Sequence, residues 1–174
     1  MKSERTRSET DSAAYLLAGN RISAPPLDPG LYVVATPIGN LGDITIRALE
    51  TLAAADLIAC EDTRVTRRLL DRYGISTSLT AYHDRNGPRV RPMILDRLAQ
   101  GASVALVSDA GTPLVSDPGY KLVREASQSG CTVCALPGPS SVLGALVSAA
   151  LPSDRFLFAG FLPNRSARRR NALE

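Results

Sequence analysis

Short apolar runs alternate with amphipathic segments along most of this chain. Five runs carry almost no charge and predict strands buried on both faces, as in a parallel sheet. In the longer segments between them, apolar positions recur every three or four residues, which indicates helices with one face packed against that sheet. The predicted strands span residues 31–35, 56–59, 79–82, 103–107 and 131–136.

Capping residues and glycines set the bounds of the predicted helices. Asp43 is a candidate N-cap for a helix ending near Ala54, and Gly74 occupies the C′ position of a helix over 63–73. The pattern predicts an α/β fold, a mostly parallel five-stranded sheet with helices on both faces, and leaves the strand order open. Three further helices are predicted: 89–100, one capped by Asp117 with Pro118 at N1 and ended by Gly130, and one capped by Ser140 or Ser141 that runs to Ala150.

The two ends of the chain depart from this alternation. Residues 1–28 are rich in Ser, Thr and charged residues, and we expect a flexible leader with at most a short helix over 15–18. The α/β domain is placed at 29–151. Over 152–174, a strand at 155–159 and a helix beginning at Ser166 predict the truncated start of a second α/β domain, since so few elements cannot bury their own apolar surface. The alternative is that this last segment docks back as an edge element.

Composition excludes several classes of protein. Hydrophobic residues make up 44% and charged residues 21%, and no apolar run approaches the roughly 20 residues of a membrane helix. The N-terminus lacks the apolar region of a signal peptide, so we expect a cytoplasmic protein with no membrane contact. The net charge of the chain is +3, and the last ten residues alone carry +3, because they contain four arginines and one glutamate. That cluster is either a nucleic-acid contact or a solvated helix face.

The Cys131-x-x-Cys134 spacing resembles a redox or zinc motif. Both cysteines lie on a predicted strand, however, where residues three apart point to opposite faces. A redox pair would instead open a helix, and zinc would need further ligands. The chain has a single histidine, His83. We therefore expect small buried apolar residues and no metal site.

Each predicted strand is followed by a segment rich in Gly, Pro, Ser, Thr or Asp. Ligands of open α/β sheets bind beyond the carboxyl ends of the strands, so these segments predict one site. The glycine motifs of dinucleotide enzymes, NTPases and serine hydrolases are absent, which disfavours those classes. Glu61, Asp62 and His83 are candidate general bases at this edge, or ordinary caps and loop hydrogen bonders. The segments are 36–40, 60–63, 82–86, 108–113 and 136–141.

Five strings, taken in order, resemble a single family. They are LYVVATPIGNLGD (31–43), IACEDTR (58–64), VSDAGTPLVSDPGY (107–120), LPGPSS (136–141) and FAGFLP (158–163). From residue 31 onward the chain resembles the bacterial type I small-subunit ribosomal RNA methyltransferases, which belong to the tetrapyrrole methylase superfamily. One string alone would be weak, but five in the same order are specific.

The resemblance implies 2′-O-methylation of a cytidine in 16S rRNA of the small ribosomal subunit, with S-adenosyl-L-methionine as methyl donor. It also implies a cofactor cleft between two α/β domains, a homodimer, and an isolated fragment that is inactive. The ribose hydroxyl would benefit from a base, for which Glu61, Asp62 and His83 are candidates in that order. The implied cofactor contacts are Asp109, Ala110, Gly111, Thr112, Val115, Pro139, Ser140 and Ser141.

The first loop departs from the superfamily's tetrapyrrole enzymes. They carry Gly-Pro-Gly-Asp after the first strand, where this chain has Pro37-Ile38-Gly39-Asn40. The departure favours RNA over a tetrapyrrole and makes Pro37, Gly39, Asn40 and Arg64 candidate substrate contacts. Two alternatives stay open: a tetrapyrrole or other small-molecule methyltransferase, and a non-catalytic RNA-binding module. Further candidate phosphate contacts are Arg67, Arg68 and residues 168–170.

Overall fold

Five parallel strands form the central sheet of the N-terminal part of the chain. The computed structural model describes residues 13–173 and divides into two units, Met1–Pro139 and Ser140–Glu174. The strands are β1 Ala14–Leu17, β2 Asn20–Ser23, β3 Gly30–Val34, β4 Leu57–Cys60, β5 Leu79–Ala81, β6 Ser103–Val107 and β7 Val133–Leu136. Along the sheet the strands lie in the order β5-β4-β6-β3-β7, and each neighbouring pair is parallel.

Helices connect these strands and cover both faces of the sheet, as predicted. The connections after β3 and β4 move one way along the sheet, and those after β5 and β6 move the other way. Because parallel crossovers are right-handed, the two directions place their helices on opposite faces. The helices between the strands are α1 Ile46–Ala54, α2 Thr63–Arg72, α3 Gly87–Ala99 and α4 Tyr120–Gln128, and the C-terminal unit contains α5 Ser141–Ser148 and α6 Ser166–Asn171.

Two apolar clusters confirm this arrangement. Leu49 and Leu52 of α1 and Leu70 of α2 pack on one face of the sheet, whereas Ile94 of α3 and Leu122 of α4 pack on the other. All five side chains are almost fully buried. Cys134 packs with the first cluster and Cys131 with the second, so the two cysteines face opposite ways as predicted, but both are only partly buried and Cys131 precedes β7.

Two predicted helix starts are wrong because loops use the capping residues differently. Asn40 caps a short 3₁₀ helix, Leu41–Asp43, and Thr45 then caps α1 by accepting a hydrogen bond from the Ala48 N–H at 3.1 Å. Asp43 is therefore not the cap of α1. Helix α4 begins at Tyr120 and not at Pro118, because Gly119 has a φ of +133°, which no α-helix accommodates.

The predicted leader differs from the structure over its described part. Residues 14–23 form a two-stranded antiparallel hairpin. Its two-residue turn has positive φ at Ala18 and Gly19, the geometry that fits the twist of a hairpin. Tyr15 is only 2% exposed within the first apolar cluster, and the Leu16 N–H donates to the Tyr73 carbonyl at 2.7 Å. Residues 1–12 lie outside the described residues, and the domain bounds stay predictions.

The C-terminal unit contains α5 and α6 joined by an irregular segment. Ser140 caps α5 and a helix begins at Ser166, as predicted. The predicted strand at 155–159 is wrong, since those residues take no regular structure. A strand needs a hydrogen-bonded neighbour, and the described residues of this unit contain no other strand.

Candidate functional site

The loop after β6 contacts three neighbouring loops at the carboxyl edge of the sheet. Gly111 and Thr36, after β3, exchange two backbone hydrogen bonds of 2.9 Å. The Asp109 carboxylate accepts from the backbone N–H of Asp62, after β4, at 3.0 Å. Thr112 Oγ1 donates to the carbonyl of Pro139, after β7, at 3.3 Å. These contacts hold four strand ends together, as the clustering of polar segments predicted.

The same loop has a strained course. Gly111 takes a φ of +84°, where a side chain would be unfavourable, and this allows the close pairing with Thr36. Leu114 and Ser116 also have positive φ, at +74° and +61°, which costs energy in residues with a Cβ. Non-glycine residues in this region persist where the surroundings hold them, and they cluster at ligand sites.

The structure brings most of the predicted cofactor residues together in the N-terminal unit. Asp109, Ala110, Gly111 and Thr112 form the central loop, and Pro139 is bonded to it. Val115 follows in the same loop and is 42% exposed. Ser140 and Ser141 belong to the C-terminal unit, where Ser140 Oγ accepts from the Leu143 N–H at 3.5 Å and Ser141 is the first residue of α5.

An acidic cleft of about 550 Å³ lies beside this loop. All three candidate bases line it, as does Asp109. The cleft thus joins the segments that follow β4, β5 and β6, which lie far apart in the sequence. Its walls include Glu61, Asp62, Thr63, His83, Asp84, Arg85, Asp109 and Pro118.

Glu61 is the candidate base whose surroundings make it more basic. Burial is the main cause that raises its pKa, and the carboxylates of Asp109 and Asp117 raise it further, while His83 opposes them. The pKa of Asp117 is raised as well, first by burial, although a hydrogen bond with Ser108 lowers it. Neighbouring carboxylates disfavour each other's ionised forms, so these groups hold protons more tightly than exposed acids do.

Asp62 has the opposite character. It caps α2, and its carboxylate accepts hydrogen bonds from the backbone N–H and the guanidinium of Arg64, with Arg64 Nη2 at 2.6 Å. These bonds lower the pKa of Asp62 to about 2. A carboxylate held this way is a weak base, so the geometry favours a positioning role for Asp62. The Arg64 side chain remains 86% exposed.

His83 is oriented by its own loop. Its backbone N–H donates to Asn86 Oδ1 at 2.9 Å, and its Nδ1 accepts from the Asn86 backbone N–H at 3.4 Å. Because an accepting Nδ1 carries no proton, a neutral His83 has its proton on Nε2 and presents a donor there. This tautomer suits a hydrogen-bond donor in the cleft better than a proton acceptor.

The three predicted substrate residues of the first loop, Pro37, Gly39 and Asn40, lie in different surroundings. Pro37 lines a second cavity of about 240 Å³ together with Thr36, Leu41 and Asp109. Asn40 is engaged locally, with Oδ1 accepting from the Gly42 N–H at 3.1 Å. Gly39, at a φ of +140°, has open space on its side-chain side.

Sequence reasoning missed two acidic residues that shape the cleft. Asp84 lines it, and Asp117 acts electrostatically on Glu61. Asp84 lies in the polar segment 82–86 and Asp117 is predicted only as a helix cap, and nothing in their spacing shows that they approach Glu61. No group of three or more metal-binding side chains within residues 13–173 is arranged to hold a metal ion. Over the same residues, none of the helices has the length and apolar character to cross a membrane.

Comparison with protein families gives one match that covers most of the chain. The family model described as "Tetrapyrrole (Corrin/Porphyrin) Methylases" matches residues 30–174. Two solved structures are similar in fold, each at 21% sequence identity. Uroporphyrin-III-C-methyltransferase from Thermus thermophilus matches with a TM-score of 0.53 over 71% of this chain and 53% of its own chain. Cobalt precorrin-4 methyltransferase matches with a TM-score of 0.55 over 68% of this chain and 49% of its own chain.

Curated relatives are much closer in sequence. A protein of Mesorhizobium japonicum named "Ribosomal RNA small subunit methyltransferase I" is 60% identical over 159 residues, which cover 91% of this chain and 54% of the relative. Proteins of the same name from Vibrio cholerae and Escherichia coli O157:H7 are 55% and 56% identical, over 83% of this chain and 50% of each relative. The chain spans about half the length of the curated relatives it matches.

Proposed function

From the premise that this chain belongs to the tetrapyrrole (corrin/porphyrin) methylase family, we propose that it contributes to methylation of the ribose 2′-hydroxyl of a cytidine in 16S rRNA. The methyl donor in this proposal is S-adenosyl-L-methionine, and the partner is the small ribosomal subunit. The relatives' shared name supports the RNA substrate. The observation that carries the chemistry is Glu61, a partly buried acid with a raised pKa in a cleft beside the Asp109 loop.

The central loop is the proposed site for the adenosyl cofactor. Ala110 is exposed and small, so a ligand can approach the backbone there, and a Cβ added at Gly111 would lie 3.4 Å from Ile38, so the loop packs closely on the loop after β3. Residues 109–112 and Pro139 would hold the cofactor in this unit, and Val115, Ser140 and Ser141 are proposed as further contacts. When bound, the sulfonium cofactor supplies an electrophilic methyl group. The residues of this chain then supply mainly position and proton transfer.

Glu61 is proposed as the catalytic base. A ribose hydroxyl is weakly acidic and gives up its proton as its oxygen forms the new bond to carbon, so a base within hydrogen-bond reach lowers the barrier. A carboxylate with a raised pKa accepts that proton more readily than an ordinary one. His83 would donate a hydrogen bond within the same cleft, and Asp62 would hold Arg64 in place.

Arginines on and near α2 are proposed to contact RNA phosphates. The exposed Arg64 guanidinium is bonded to Asp62, which lines the cleft, and Arg67 and Arg68 follow on the same helix. Phosphate contacts position an RNA without reading its sequence. In the C-terminal unit, residues 168–170 add three arginines to α6. The proposal also includes a homodimer acting in the cytoplasm, as the family resemblance implies.

Transfer of a labelled methyl group tests the proposal. The assay compares the 174-residue chain with a chain extended to the length of the relatives, using small-subunit RNA as acceptor and a tetrapyrrole as the competing acceptor. We expect ribose methylation by the extended chain. Methylation of the tetrapyrrole alone would support the small-molecule alternative, and RNA binding without turnover would support a binding module.

Glu61→Gln tests the assigned base within that assay. We expect kcat to fall by about 10²- to 10⁴-fold, the usual contribution of a general base. Cofactor affinity should be unchanged, because Gln has nearly the same shape. Glu50→Gln on α1 is the matched control, since it removes the same charge outside the cleft. A Glu61→Gln enzyme with normal kcat would remove Glu61 from the mechanism.

A further inference from the structure

A further pocket, distinct from the cavity lined by Pro37, adjoins the acidic cleft at the start of α4. Its volume is about 250 Å³, and it shares Asp84 and Pro118 with the cleft. This volume is smaller than the roughly 300–1,000 Å³ of pockets that enclose a whole drug-sized ligand, so it suits one nucleobase and not a tetrapyrrole macrocycle. The lining includes Tyr82, Asp84, Gly87, Arg91, Asp117 and Tyr120.

Tyr120 gives this pocket an exposed aromatic surface. Its side chain is 62% exposed, and no other aromatic residue among the described residues of the N-terminal unit is exposed. The Arg124 guanidinium lies over the ring, 5.6 Å from its centroid. This contact restricts the ring's orientation, so less side-chain entropy is lost when a second planar group stacks there.

The backbone conformation of the preceding residue fixes the position of Tyr120. Gly119 has a φ of +133°, and a Cβ at this position would lie 2.9 Å from Leu106 Cδ2 and 3.1 Å from Leu114 Cδ1. The chain therefore passes close to the core immediately before Tyr120. The ring is presented by the first residue of a helix whose Leu122 and Ala126 are buried, and not by a loose loop.

The polar groups of the pocket complement the edge of an amino-bearing base. Asp84 and Asp117 supply carboxylates, which accept hydrogen bonds from an exocyclic amino group such as N4 of cytosine. Arg91, whose Nε donates to Glu125 at 2.9 Å, and Lys121 add positive charge at the same wall. Uracil has a carbonyl in place of that amino group and would face the carboxylates with like polarity.

We propose that this pocket binds the nucleobase of the methylated nucleotide, with Tyr120 as its stacking surface and the carboxylates selecting a base that carries an amino group. The inference rests on the proposed function and specifies its substrate site. A base held here would place its ribose toward the adjoining cleft, where Glu61 lies, because the two cavities share a wall.

Steady-state kinetics of the extended chain on small-subunit RNA test this proposal. We expect Tyr120→Ala to raise the KM for RNA by about 5- to 150-fold, the usual effect of losing a base–aromatic stack. Tyr120→Phe should keep a near-normal KM, because the ring remains. In both variants we expect cofactor affinity to change little. Met93→Ala, an exposed apolar side chain on α3, is the control.

Two further readouts separate stacking from a merely structural role. Ultraviolet irradiation of the complex should crosslink RNA to the peptide that carries Tyr120. Replacing the target cytidine with uridine should weaken binding to the wild type, and Asp84→Ala should reduce this discrimination.

A wild-type enzyme that methylates RNA while Tyr120→Ala retains a normal KM would overturn the inference and leave the proposed function standing. No methyl transfer to RNA by the wild type would instead overturn the proposed function.

Discussion

Asp109 offers the sharpest test of how the loops are joined, because its carboxylate has two separable effects. It accepts the Asp62 backbone N–H at 3.0 Å, which ties the loop after β6 to the loop after β4. Its charge also raises the pKa of both Glu61 and Asp117. Asp109→Ala removes the hydrogen bond and the charge, whereas Asp109→Asn keeps an acceptor and removes only the charge.

The expected magnitudes follow from these two effects. A hydrogen bond to a charged group contributes about 1.5–3 kcal/mol, and relief of repulsion returns roughly 0.5–1 kcal/mol, so Asp109→Ala should lower the free energy of unfolding by about 1–2 kcal/mol. Asp109→Asn retains a neutral hydrogen bond and the same relief, so it should lie within about 0.5 kcal/mol of the wild type. For a chain of this length, each kcal/mol corresponds to roughly 2–4 °C in Tm.

The sign of the pH dependence provides an independent check. A carboxyl group whose pKa is raised by folding stabilises the fold when protonated, and this contribution is lost as the pH rises through the raised pKa. Removing the Asp109 charge lowers the pKa of Glu61 toward its ordinary value, so less stability is lost over that range. Asp109→Asn should therefore gain stability relative to the wild type as the pH rises through the titration of Glu61.

Urea denaturation at several pH values and an NMR titration of the Glu61 carboxyl measure both effects. Equal destabilisation by Asp109→Asn and Asp109→Ala would refute the claim that the acceptor matters more than the charge. An unchanged pKa for Glu61 in both variants would show that the two carboxylates do not interact, and the description of the cleft would then be wrong.

Three further changes probe other parts of the structure. Glu61→Gln should raise the free energy of unfolding at neutral pH by roughly 0.5–2 kcal/mol, since it removes a desolvated charge beside other acids. A lower free energy of unfolding, measured by urea denaturation, would contradict this. Gly119→Ala should lower the free energy of unfolding by at least about 1–3 kcal/mol, because the residue has a positive φ and the added Cβ would lie 2.9 Å from the Leu106 side chain. An unchanged Tm would refute this. Tyr15→Ala should cost about 3 kcal/mol and release the hairpin to limited proteolysis, unlike the exposed Ile22→Ala.

Local patterns determined the types of the elements and their order. Apolar runs, caps and glycines are properties of a few neighbouring residues, and they predicted all five strands of the sheet and the helices between them. They failed where a cap served another turn, as at Asp43, or where the usual turn signal was absent, as at Ala18-Gly19. They also failed at 155–159, because a strand depends on a partner elsewhere in the chain.

For the site, the sequence by itself determined that polar segments gather at one edge of the sheet and that Glu61, Asp62 and His83 belong to them. Only the tertiary structure decided the strand order β5-β4-β6-β3-β7, and with it which loops are neighbours. Burial and the carboxylates of Asp109 and Asp117 raise the pKa of Glu61, whereas hydrogen bonds from Arg64 lower that of Asp62, although the two acids are adjacent in the chain. Periodicity records which face of an element is buried, but the raised pKa of Glu61 depends on burial and on charges contributed by residues distant in sequence.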